Sequence, residues 1–414
     1  MKIWIVSDGE PLPIDNGSVR LRRMGILSNL LLRKNHKVVW FSSNFHHYTK
    51  KFRSDKFKIE KVNENQDYEI ALLPTKGYKK NVSLQRYLHY KKLSNQFKKY
   101  ANLMDIPDLI ITTLAPLELS KEVVNFGEKN NIPVIVDIRD LWPEIYREVL
   151  PKKFEKMINV YIKYKQNELS SVLQKSTSII GVTPLFLKYG TDLLENGKRD
   201  YDKVFHTSYE PKNYELYEND FEKYWAKYNI NKNDFIVSFI GNFGKQFEFE
   251  PIVKAMEKMK NEKIKFVLCG NGEKLEQLRS KFNDYENVIF PGWIEERQIS
   301  SLLYATSIGL APYKDSINFR NNTPNKFGEY LSAGLPILVN INGIMKDILI
   351  ENNCGFKYKN GLELFDQINL LYNSQELLSE MSKNSKNVFN QRFNSEKTYN
   401  ELIEFMHELT EKAK

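Results

Sequence analysis

Residues 323–340, TPNKFGEYLSAGLPILVN, join the start of a helix to the buried strand that follows it. Thr323 is a favourable N-cap residue and Pro324 suits the first helical position, so we predict that a helix begins here. The apolar run PILVNI that follows predicts a buried strand. A helix that leads directly into such a strand is typical of the repeating units of a parallel sheet.

The same alternation of apolar runs and amphipathic stretches extends through both halves of the chain. In the second half, the other runs rich in β-branched residues are FIVSFIG, IKFVLCG, NVIFPG and SIGLAPY. In the first half they are KIWIVS, KVVWFSS, YEIALLP, DLIITT, PVIVDI and SIIGVT, with amphipathic stretches such as 20–34 and 118–129 separating them. This alternation predicts an α/β fold in which two doubly wound, Rossmann-like domains with parallel sheets face a central cleft.

The chain length of 414 residues suits two domains of about 200 residues each. The strand pattern breaks at 201–234, a charged and aromatic stretch that predicts a connection with a short helix. We therefore expect an N-terminal domain at 1–205, a connection at 206–233, a C-terminal domain at 234–395, and a C-terminal helix at 396–414 that packs back toward the N-terminal domain.

Composition excludes several classes of protein. Hydrophobic residues make up 41% of the chain, which argues against wholesale disorder, and no apolar run reaches the length of about 20 residues that crosses a bilayer. The opening MKIWIVSDGE meets an acid directly after a short apolar stretch, which indicates a first strand rather than a signal peptide. The only two cysteines, Cys269 and Cys354, form neither a disulfide framework nor a metal-binding spacing, so a reducing cytoplasm fits.

The formal charge of +9 is unevenly distributed, because residues 76–100 hold eight Lys or Arg residues and no acid. The aromatic residues interleaved with these cations are Tyr78, Tyr87, Tyr90, Phe97 and Tyr100. Such a run favours an anionic membrane surface, although a solvated basic helix explains it equally well. We expect no nucleic-acid partner because no recognised binding motif accompanies the charge.

Ligands of open parallel sheets bind at the loops that follow the carboxyl ends of the strands. After the first strand, the residues NGS at 16–18 precede an arginine-bearing helix, and Gly17 would let the backbone approach an anion. An ordinary strand-to-helix turn has the same pattern. After a later strand, CGNGEKL contains Gly270 and Gly272 but has Leu275 in place of a third small residue, which disfavours a nicotinamide-dependent oxidoreductase.

Lys326 and Glu329 lie on one face of the helix predicted after Thr323. A lysine in the first turn is unfavourable to the helix dipole, but a diphosphate bound there would satisfy both the dipole and the ammonium group. A carboxylate one turn later is placed to accept hydrogen bonds from the paired hydroxyls of a ribose. These two residues alone leave open the alternative of a weak surface ion pair.

The order of several motifs resembles a known family of enzymes. FIGNFG, FVLCGNGEKLEQL, VIFPGWIEERQISSLLYATSIGLAPY and TPNKFGEYLSAGLPILV resemble the donor-nucleotide domain of the family-4 retaining glycosyltransferases, which have the GT-B fold. DNGSVRLRRMGILSNLLLRKNHKVVWFSS and VIVDIRDLWPE resemble the acceptor-side domain of the WbuB-like amino-sugar transferases that build surface polysaccharides. The resemblance covers nearly the whole chain. It implies the two Rossmann-like domains of the GT-B fold, with the nucleotide bound by the second domain.

The resemblance also implies roles for individual residues. Glu329 would hold the ribose hydroxyls, Lys326 would neutralise the diphosphate, and the backbone near Gly17 would approach the phosphates. The segment GWI, comprising Gly292, Trp293 and Ile294, would border the nucleobase. The remaining donor-side candidates are Asn242, Lys245, Gly270, Asn321 and Thr323.

This chain departs from the family pattern at two donor-side positions. The family usually places a first glutamate, which contacts the donor sugar, eight residues before the second, and Asn321 occupies that position here. Many members carry an Arg and a Lys after the first strand of the second domain, whereas GNFGKQFEFE offers Asn242 and, at a different offset, Lys245. The identity of the donor sugar therefore cannot be read from the motif.

On the acceptor side, VDIRDLWPE places Asp137, Arg139, Asp140 and Glu144 close together at the end of a strand. Such a cluster cannot be buried unpaired, so the charges either bind one another or face a ligand. Some relatives have a His-Asp pair at the position of Arg139 and Asp140, so a histidine base is not supported there. His206 is the histidine nearest the predicted connection, and a structural role suits it better than a catalytic one.

The resulting functional hypothesis is a cytoplasmic, retaining glycosyltransferase, peripheral on the inner face of the cell membrane. It would move a hexose or N-acetylamino sugar from a UDP-sugar to a lipid-linked saccharide in the synthesis of a surface polysaccharide such as capsule or O-antigen. The predicted catalytic residues are Lys326, Glu329, Asp140 and Arg139, with Asp137 binding substrate and with neither a metal nor a cofactor. The alternatives are a UDP-sugar 2-epimerase of the same fold and a non-catalytic protein that binds sugar or membrane.

Overall fold

The computed structural model describes residues 1–16, 19–62, 67–149, 152–259 and 263–413. The chain divides into two compact units. The first unit comprises Met1–His206 together with Ser395–Lys414, and the second comprises Thr207–Asn394.

The described part of the first unit is built on an eight-stranded sheet with the order β3-β4-β2-β1-β5-β6-β7-β8. Its strands are β1 Lys2–Val6, β2 Lys37–Ser43, β3 Lys58–Lys61, β4 Tyr68–Leu73, β5 Leu109–Thr113, β6 Val134–Ile138, β7 Ser178–Gly181 and β8 Lys203–Val204. Neighbouring strands pair in parallel except β3, which runs antiparallel to β4 at the edge.

Helices cover both faces of this sheet because its central strands are apolar on both sides. They are α1 Arg23–Arg33, α2 Leu84–Ala101, α3 Leu117–Asn130, α4 Tyr146–Val149, α5 Glu155–Lys175, α6 Pro184–Thr191 and the C-terminal helix Ser395–Lys412. Trp4 and Val6 of β1 belong to the hydrophobic cluster on one face, and Ile3 and Ile5 belong to the cluster on the other. The C-terminal helix packs into the second of these clusters through buried residues such as Tyr399.

The second unit has a six-stranded, fully parallel sheet with the order β11-β10-β9-β12-β13-β14 among its described residues. Its strands are β9 Phe235–Ile240, β10 Ile264–Cys269, β11 Val288–Gly292, β12 Thr306–Ala311, β13 Ile337–Val339 and β14 Gly355–Lys357. Its helices are α7 Glu218–Trp225, α8 Glu250–Lys258, α9 Leu275–Lys281, α10 Glu296–Ala305, α11 Ile317–Arg320, α12 Asn325–Ser332, α13 Ile344–Glu351, α14 Gly361–Asn373 and α15 Gln375–Val388.

The predicted α/β class with two Rossmann-like domains is confirmed, since each apolar run quoted above contains one of these strands. The expected connection at 206–233 differs, because all of it except His206 belongs to the second unit. Phe221 and Trp225 of α7 are fully buried in the same cluster as Ile236 of β9. This stretch reads as a connection because its buried aromatic residues follow a helical rather than a strand period.

The basic run at 76–100 forms α2 and the turn before it. Tyr78 and Phe97 are buried, and Tyr100 stacks on Phe57 with ring centroids 3.8 Å apart. Tyr87 is exposed on the same helix. Most of the aromatic residues therefore pack inward, whereas the lysines of this helix point outward.

Within the described ranges, no helix combines the length and the apolar character that a membrane crossing requires.

Candidate functional site

Three neighbouring strands of the second unit end in glycine-rich loops at one edge of the sheet. β9 and β10 are followed directly by Gly241 and Gly270, and β11 ends at Gly292. The Gly241 N–H donates to the Cys269 carbonyl at 2.9 Å, and the Gly270 N–H donates to the Gly292 carbonyl at 2.7 Å. The candidate residues Gly270 and Gly292 are thus joined by a hydrogen bond at the carboxyl edge, where α/β sheets bind ligands.

Glycine is required at Gly270 and Gly272 because the loop after β10, which contains both, passes close to the loop after β9. Gly270 has a φ of +134°, and a Cβ atom there would lie 1.8 Å from the Gly241 carbonyl oxygen. At Gly272, with a φ of +151°, a Cβ atom would lie 2.7 Å from the backbone nitrogen of Phe243. The surface at these strand ends is therefore formed largely by backbone, which can approach a ligand closely.

Lys326 of α12 brings a cation to the same edge. Its side chain is only 7% exposed, and its ammonium group donates a hydrogen bond to the carbonyl of Ile240, the last residue of β9. The ammonium also lies 4.5 Å from the ring centroid of Phe239 and 5.1 Å from that of Phe247. A charge held in such a poorly solvated position interacts more strongly with an anion than a charge in water does.

Gly241 also determines where this ammonium can lie. A Cβ atom at Gly241 would be 2.4 Å from Lys326 Nζ, so a side chain there would displace the cation. The helix dipole and the family resemblance predict Lys326 as a phosphate ligand. The structure adds that its ammonium lies over the first residue after β9.

The helix α12 begins one residue later than predicted. Pro324 is the N-cap, with an extended ψ of 159°, and Asn325 is the first helical residue. Proline suits this position because an N-cap residue needs an extended conformation but not its own N–H. Thr323 therefore does not cap the helix, and its buried hydroxyl oxygen has no hydrogen-bond partner among the described residues.

Glu329 lies one turn after Lys326 and is half-buried. Burial, and then the negative charge of Glu329, raise the pKa of the Tyr313 hydroxyl. The same two effects act on Tyr330, whose pKa lies well above its usual value although the Ile240 N–H donates to it. The Glu329 carboxylate is therefore electrostatically coupled to the buried tyrosines beneath the strand ends.

The other donor-side candidates differ in their surroundings. Asn242 and Lys245 are exposed in the loop after β9, and the Trp293 side chain is 72% exposed after β11. Ile294 instead packs in the hydrophobic cluster that contains Leu302, so its side chain is part of the core. The expectation that the segment GWI borders the nucleobase stays a prediction.

Two further candidates complete the predicted set. Asn321 is half-buried at the C-terminal end of the short helix α11. Gly17 lies outside the described residues.

The first unit contains a cavity of about 400 Å³ at the carboxyl ends of its central strands. Aromatic side chains contribute much of its wall, namely Tyr48, Tyr90, Trp142, Tyr146 and Tyr161. Charged side chains also line it, namely Asp8, Arg86, Glu118, Asp137, Arg139, Asp140 and Lys165. The candidates Asp137, Arg139 and Asp140 are thus brought together at one cavity.

Asp137 at the end of β6 is fully buried and forms a charge network with two arginines. Its carboxylate accepts hydrogen bonds from Arg23 at 2.9 and 3.2 Å and from Arg139 at 2.8 Å. Arg139 also donates to Glu10, whose other carboxylate oxygen accepts the Met24 N–H at 3.1 Å. The Asp137 carboxylate is therefore paired within the network, which is one of the two arrangements expected for this cluster, and its role in binding substrate stays a prediction.

Arg139 keeps its charge in this network. Burial alone would lower its pKa, but the carboxylates of Glu10 and Asp137 raise it. One of its terminal nitrogens, Nη2, is buried without a hydrogen-bond partner among the described residues. Glu144, in contrast, accepts hydrogen bonds from Tyr189 and from Gln166 at 2.5 Å, so it supports the cavity wall rather than a ligand.

The sequence pattern missed Asp8, which enters the cavity wall from the loop after β1. Its carboxylate accepts the Ser43 N–H at 3.1 Å and lies 3.5 Å from His89 Nε2. Burial would raise the pKa of Asp8, but the contacts with His89 and Ser43 lower it to about 2. His89 is fully buried although it lies in the basic run at 76–100, whose charge concealed its inward position.

His47 and Lys165 were also missed as parts of this cavity. Burial, and then the charges of Lys50 and Arg86, lower the pKa of His47 to about 4, so its imidazole is neutral near pH 7. Lys165 donates to Glu118 at 2.9 Å and to Glu168 at 2.8 Å. Burial alone would lower the pKa of Lys165, but these two carboxylates raise it.

In the part of the chain that the structure describes, no group of three or more His, Cys, Asp or Glu side chains is placed to hold a metal ion.

Comparison with known proteins identifies a family for part of the chain. Residues 220–388, which include most of the second unit, match the family model described as Glycosyl transferases group 1. No curated protein sequence matches the chain.

Solved structures resemble the whole chain at low sequence identity. The Anabaena protein HepE in complex with UDP is 14% identical, with a TM-score of 0.68 over 99% of this chain and 100% of that one. Sucrose-phosphate synthase from Thermosynechococcus elongatus is 13% identical, with a TM-score of 0.73 over 99% of both chains. WaaG, a glycosyltransferase involved in lipopolysaccharide biosynthesis, is 12% identical, with a TM-score of 0.62 over 96% of this chain and 98% of that one.

These structural matches confirm the predicted GT-B fold. Together with the family match over residues 220–388, they support a glycosyltransferase of the GT-B fold.

Proposed function

We propose that this protein is a retaining glycosyltransferase that takes a hexose or N-acetylamino sugar from a UDP-sugar. The observation that carries the proposal is the position of the Lys326 ammonium, which lies at the end of β9 and over Gly241. A cation at a strand end lined by glycine backbone suits a diphosphate. HepE, which shares the fold, has been solved with UDP and with UDP-glucose.

Each part of the donor would meet a different group of the second unit. The diphosphate would lie against Lys326 and the first N–H groups of α12, where the hydroxyl of Thr323 gains a hydrogen-bond partner. The ribose hydroxyls would donate to the Glu329 carboxylate. The exposed ring of Trp293 would border the base. Asn242, Lys245 and Asn321 would lie toward the donor sugar.

Transfer requires stabilisation of the leaving diphosphate while the anomeric carbon gains positive charge. Lys326 and the helix N-terminus would supply that stabilisation, because they are already oriented before the charge develops. In a retaining reaction the acceptor hydroxyl attacks from the face that the diphosphate leaves, and a phosphate oxygen takes its proton. Lys326 would therefore act throughout the step, as the partner of the developing negative charge.

The cavity of the first unit is the proposed acceptor site. Its aromatic rings would stack on the apolar faces of a saccharide, and Asp8 and Asp140 would accept hydrogen bonds from its hydroxyls. Arg139, whose Nη2 group is buried there, would donate to an oxygen of the acceptor. We propose a lipid-linked saccharide on the inner face of the cell membrane, as in the synthesis of a surface polysaccharide such as capsule or O-antigen.

Calorimetric titration with UDP, GDP, ADP and NAD tests the donor assignment. We expect UDP to bind selectively and its binding to be lost in Lys326→Met, which keeps the apolar stem but removes the charge. Lys245→Met is the matched control, because it removes an exposed lysine from the neighbouring loop. Binding of NAD alone, or of no nucleotide, would contradict the donor site.

Product analysis separates transfer from epimerisation. Incubation with UDP-glucose or UDP-N-acetylglucosamine and a synthetic lipid-linked saccharide should give a product that carries the donor sugar. A 2-epimerase would instead release an epimer without an acceptor. A non-catalytic sugar-binding protein would give neither product.

A further inference from the structure

Helix α5 of the first unit presents an apolar stripe to solvent. Met157 is 70% exposed, Val160 is 73% exposed and Tyr164 is 66% exposed. The spacing of these residues, with Tyr161 one position after Val160, places them on one face of the helix. Ile158 and Ile162 are buried on the opposite face, so this helix has two apolar faces and only one of them packs against the protein.

The charge around this stripe is positive. Residues 153–164 contain three lysines and one glutamate, Glu155. Lys156 and Lys163 lie two turns apart along the edge of the stripe, and both are exposed. An apolar face bordered by lysines is the arrangement of helices that lie in the surface of an anionic membrane.

A second exposed apolar group lies at the start of α2. Leu84 is 72% exposed, and Val82, Tyr87 and Leu88 are exposed with it. The lysines on either side in the sequence are exposed as well, namely Lys79, Lys80, Lys91 and Lys92. This group has the same combination of apolar side chains and lysines as the stripe on α5.

Both groups adjoin the cavity of the first unit. Helix α2 contributes Arg86 and Tyr90 to the cavity wall, and α5 contributes Tyr161 and Lys165. Tyr161 belongs to the stripe and to the wall at once, which makes the apolar surface continuous with the cavity. A lipid chain on the stripe and a saccharide in the cavity could therefore belong to one molecule.

We propose that an anionic lipid bilayer docks on the stripe of α5 and the start of α2. The apolar side chains enter the interfacial region, the lysines contact headgroups, and the tyrosines lie at the boundary where amphipathic rings are favoured. The cavity then opens at the membrane surface, so the lipid of an acceptor stays in the bilayer while its saccharide is bound. This last step rests on the proposed function, whereas the docking itself does not.

Co-sedimentation with vesicles tests the docking surface. The variant Met157→Ser/Val160→Ser/Tyr164→Ser should bind vesicles containing about one third phosphatidylglycerol about tenfold less tightly than the parent chain. The matched control is Leu216→Ser/Ile350→Ser/Leu370→Ser, which removes three exposed apolar residues of the second unit and should bind as the parent does. UDP affinity, measured by calorimetry, should be unchanged in both variants.

A second variant tests how much the lysines contribute to vesicle binding. Lys156→Gln/Lys163→Gln should reduce binding to the anionic vesicles and should narrow the difference between these and vesicles of phosphatidylcholine alone, because the lysines at the start of α2 remain. Equal vesicle binding by the stripe variant and the parent would overturn the proposal. The proposal would also be overturned if the parent chain did not bind vesicles but formed a dimer that the stripe variant cannot form. The stripe would then be a contact between copies of the chain.

Transfer assays distinguish a failure of docking from a failure of the proposed function. With a water-soluble saccharide acceptor, the stripe variant and the parent should have the same rate. With the lipid-linked acceptor in vesicles, the variant should be slower by about the same factor as its loss of binding. Absence of transfer to either acceptor by the parent would contradict the glycosyltransferase and leave the vesicle result to decide the docking surface.

Discussion

The end of β6 in the first unit and the ends of β9, β10 and β11 in the second unit all lie at the carboxyl edge of parallel strands, but they are built differently. At the end of β6, Asp137 is neutralised by Arg23 and Arg139, and the side chains form a closed network. At the other strand ends, glycines bring backbone to the surface, and Lys326 adds a cation above it.

This difference indicates what each edge can bind. A network of mutually neutralising side chains fixes the shape of a cavity and presents donors and acceptors of both signs, which suits a polyhydroxylated ligand. The Lys326 ammonium beside glycine backbone presents a positive charge at the other edge, which suits phosphate.

The variant Asp137→Ala should break the network of the first unit. Because Arg23 and Arg139 would remain buried without their shared carboxylate, we expect a loss of about 3–5 kcal/mol in the free energy of unfolding. Denaturant titration of the parent chain and the variant measures this loss. The control Asp192→Ala removes an exposed ion pair with Lys188 and should cost less than about 1 kcal/mol. Equal losses in both variants would show that the network does not support the fold.

The variant Lys326→Met should lower the rate of sugar transfer about 10²–10³-fold, which is the cost of removing one preorganised group that faces developing charge. Steady-state kinetics with a UDP-sugar measures the effect. Lys245→Met should stay within about tenfold of the parent, since that lysine is exposed in a loop. A larger loss at Lys245 than at Lys326 would move the phosphate site to the loop after β9.

The variant Glu329→Gln should weaken UDP binding by about 1–3 kcal/mol, because an amide replaces the charged acceptor of the ribose hydroxyls. Calorimetry measures this change, with Glu351→Gln on an exposed helix end as the control. An unchanged affinity for UDP would remove Glu329 from the donor site.

The lowered pKa of His47 should make the free energy of unfolding depend on pH. Its pKa is about 4 in the folded protein and near 6.5 in the unfolded chain, so the unfolded state binds the proton first as the pH falls. Stability should therefore be lost as the pH falls from 6.5 to 4, and His47→Gln should lose about 1 kcal/mol less over that range. Unfolding titrations at pH 7 and pH 5 test this, and equal losses in both proteins would contradict the buried, neutral imidazole.

The sequence predicts the central strands well because they are buried on both faces and therefore consist of continuous apolar runs. It misses β3, β8 and β14, which lie at sheet edges and lack such runs. The helix start at Thr323 is misplaced by one residue, because proline suits both the N-cap and the first helical position.

The residues of the candidate sites also differ in whether the sequence alone could predict them. Lys326 is a candidate from the sequence because a lysine in the first turn of a helix opposes the helix dipole, and its donor role and that of Glu329 stay predictions. Asp8 and His89 could not be predicted, because their pairing joins residues 81 positions apart in the sequence. The burial of Ile294 could not be predicted either, because it packs in a cluster with Phe221 and Trp225, which are distant in the chain.

The central claim, that Lys326 binds the diphosphate of a UDP-sugar, is tested most directly by titrating UDP and uridine into the parent chain and Lys326→Met. We expect the parent to prefer UDP strongly, Lys326→Met to lose this preference, and both proteins to bind uridine equally. If Lys326→Met kept the full preference for UDP over uridine, the phosphate would lie elsewhere and the account would be contradicted.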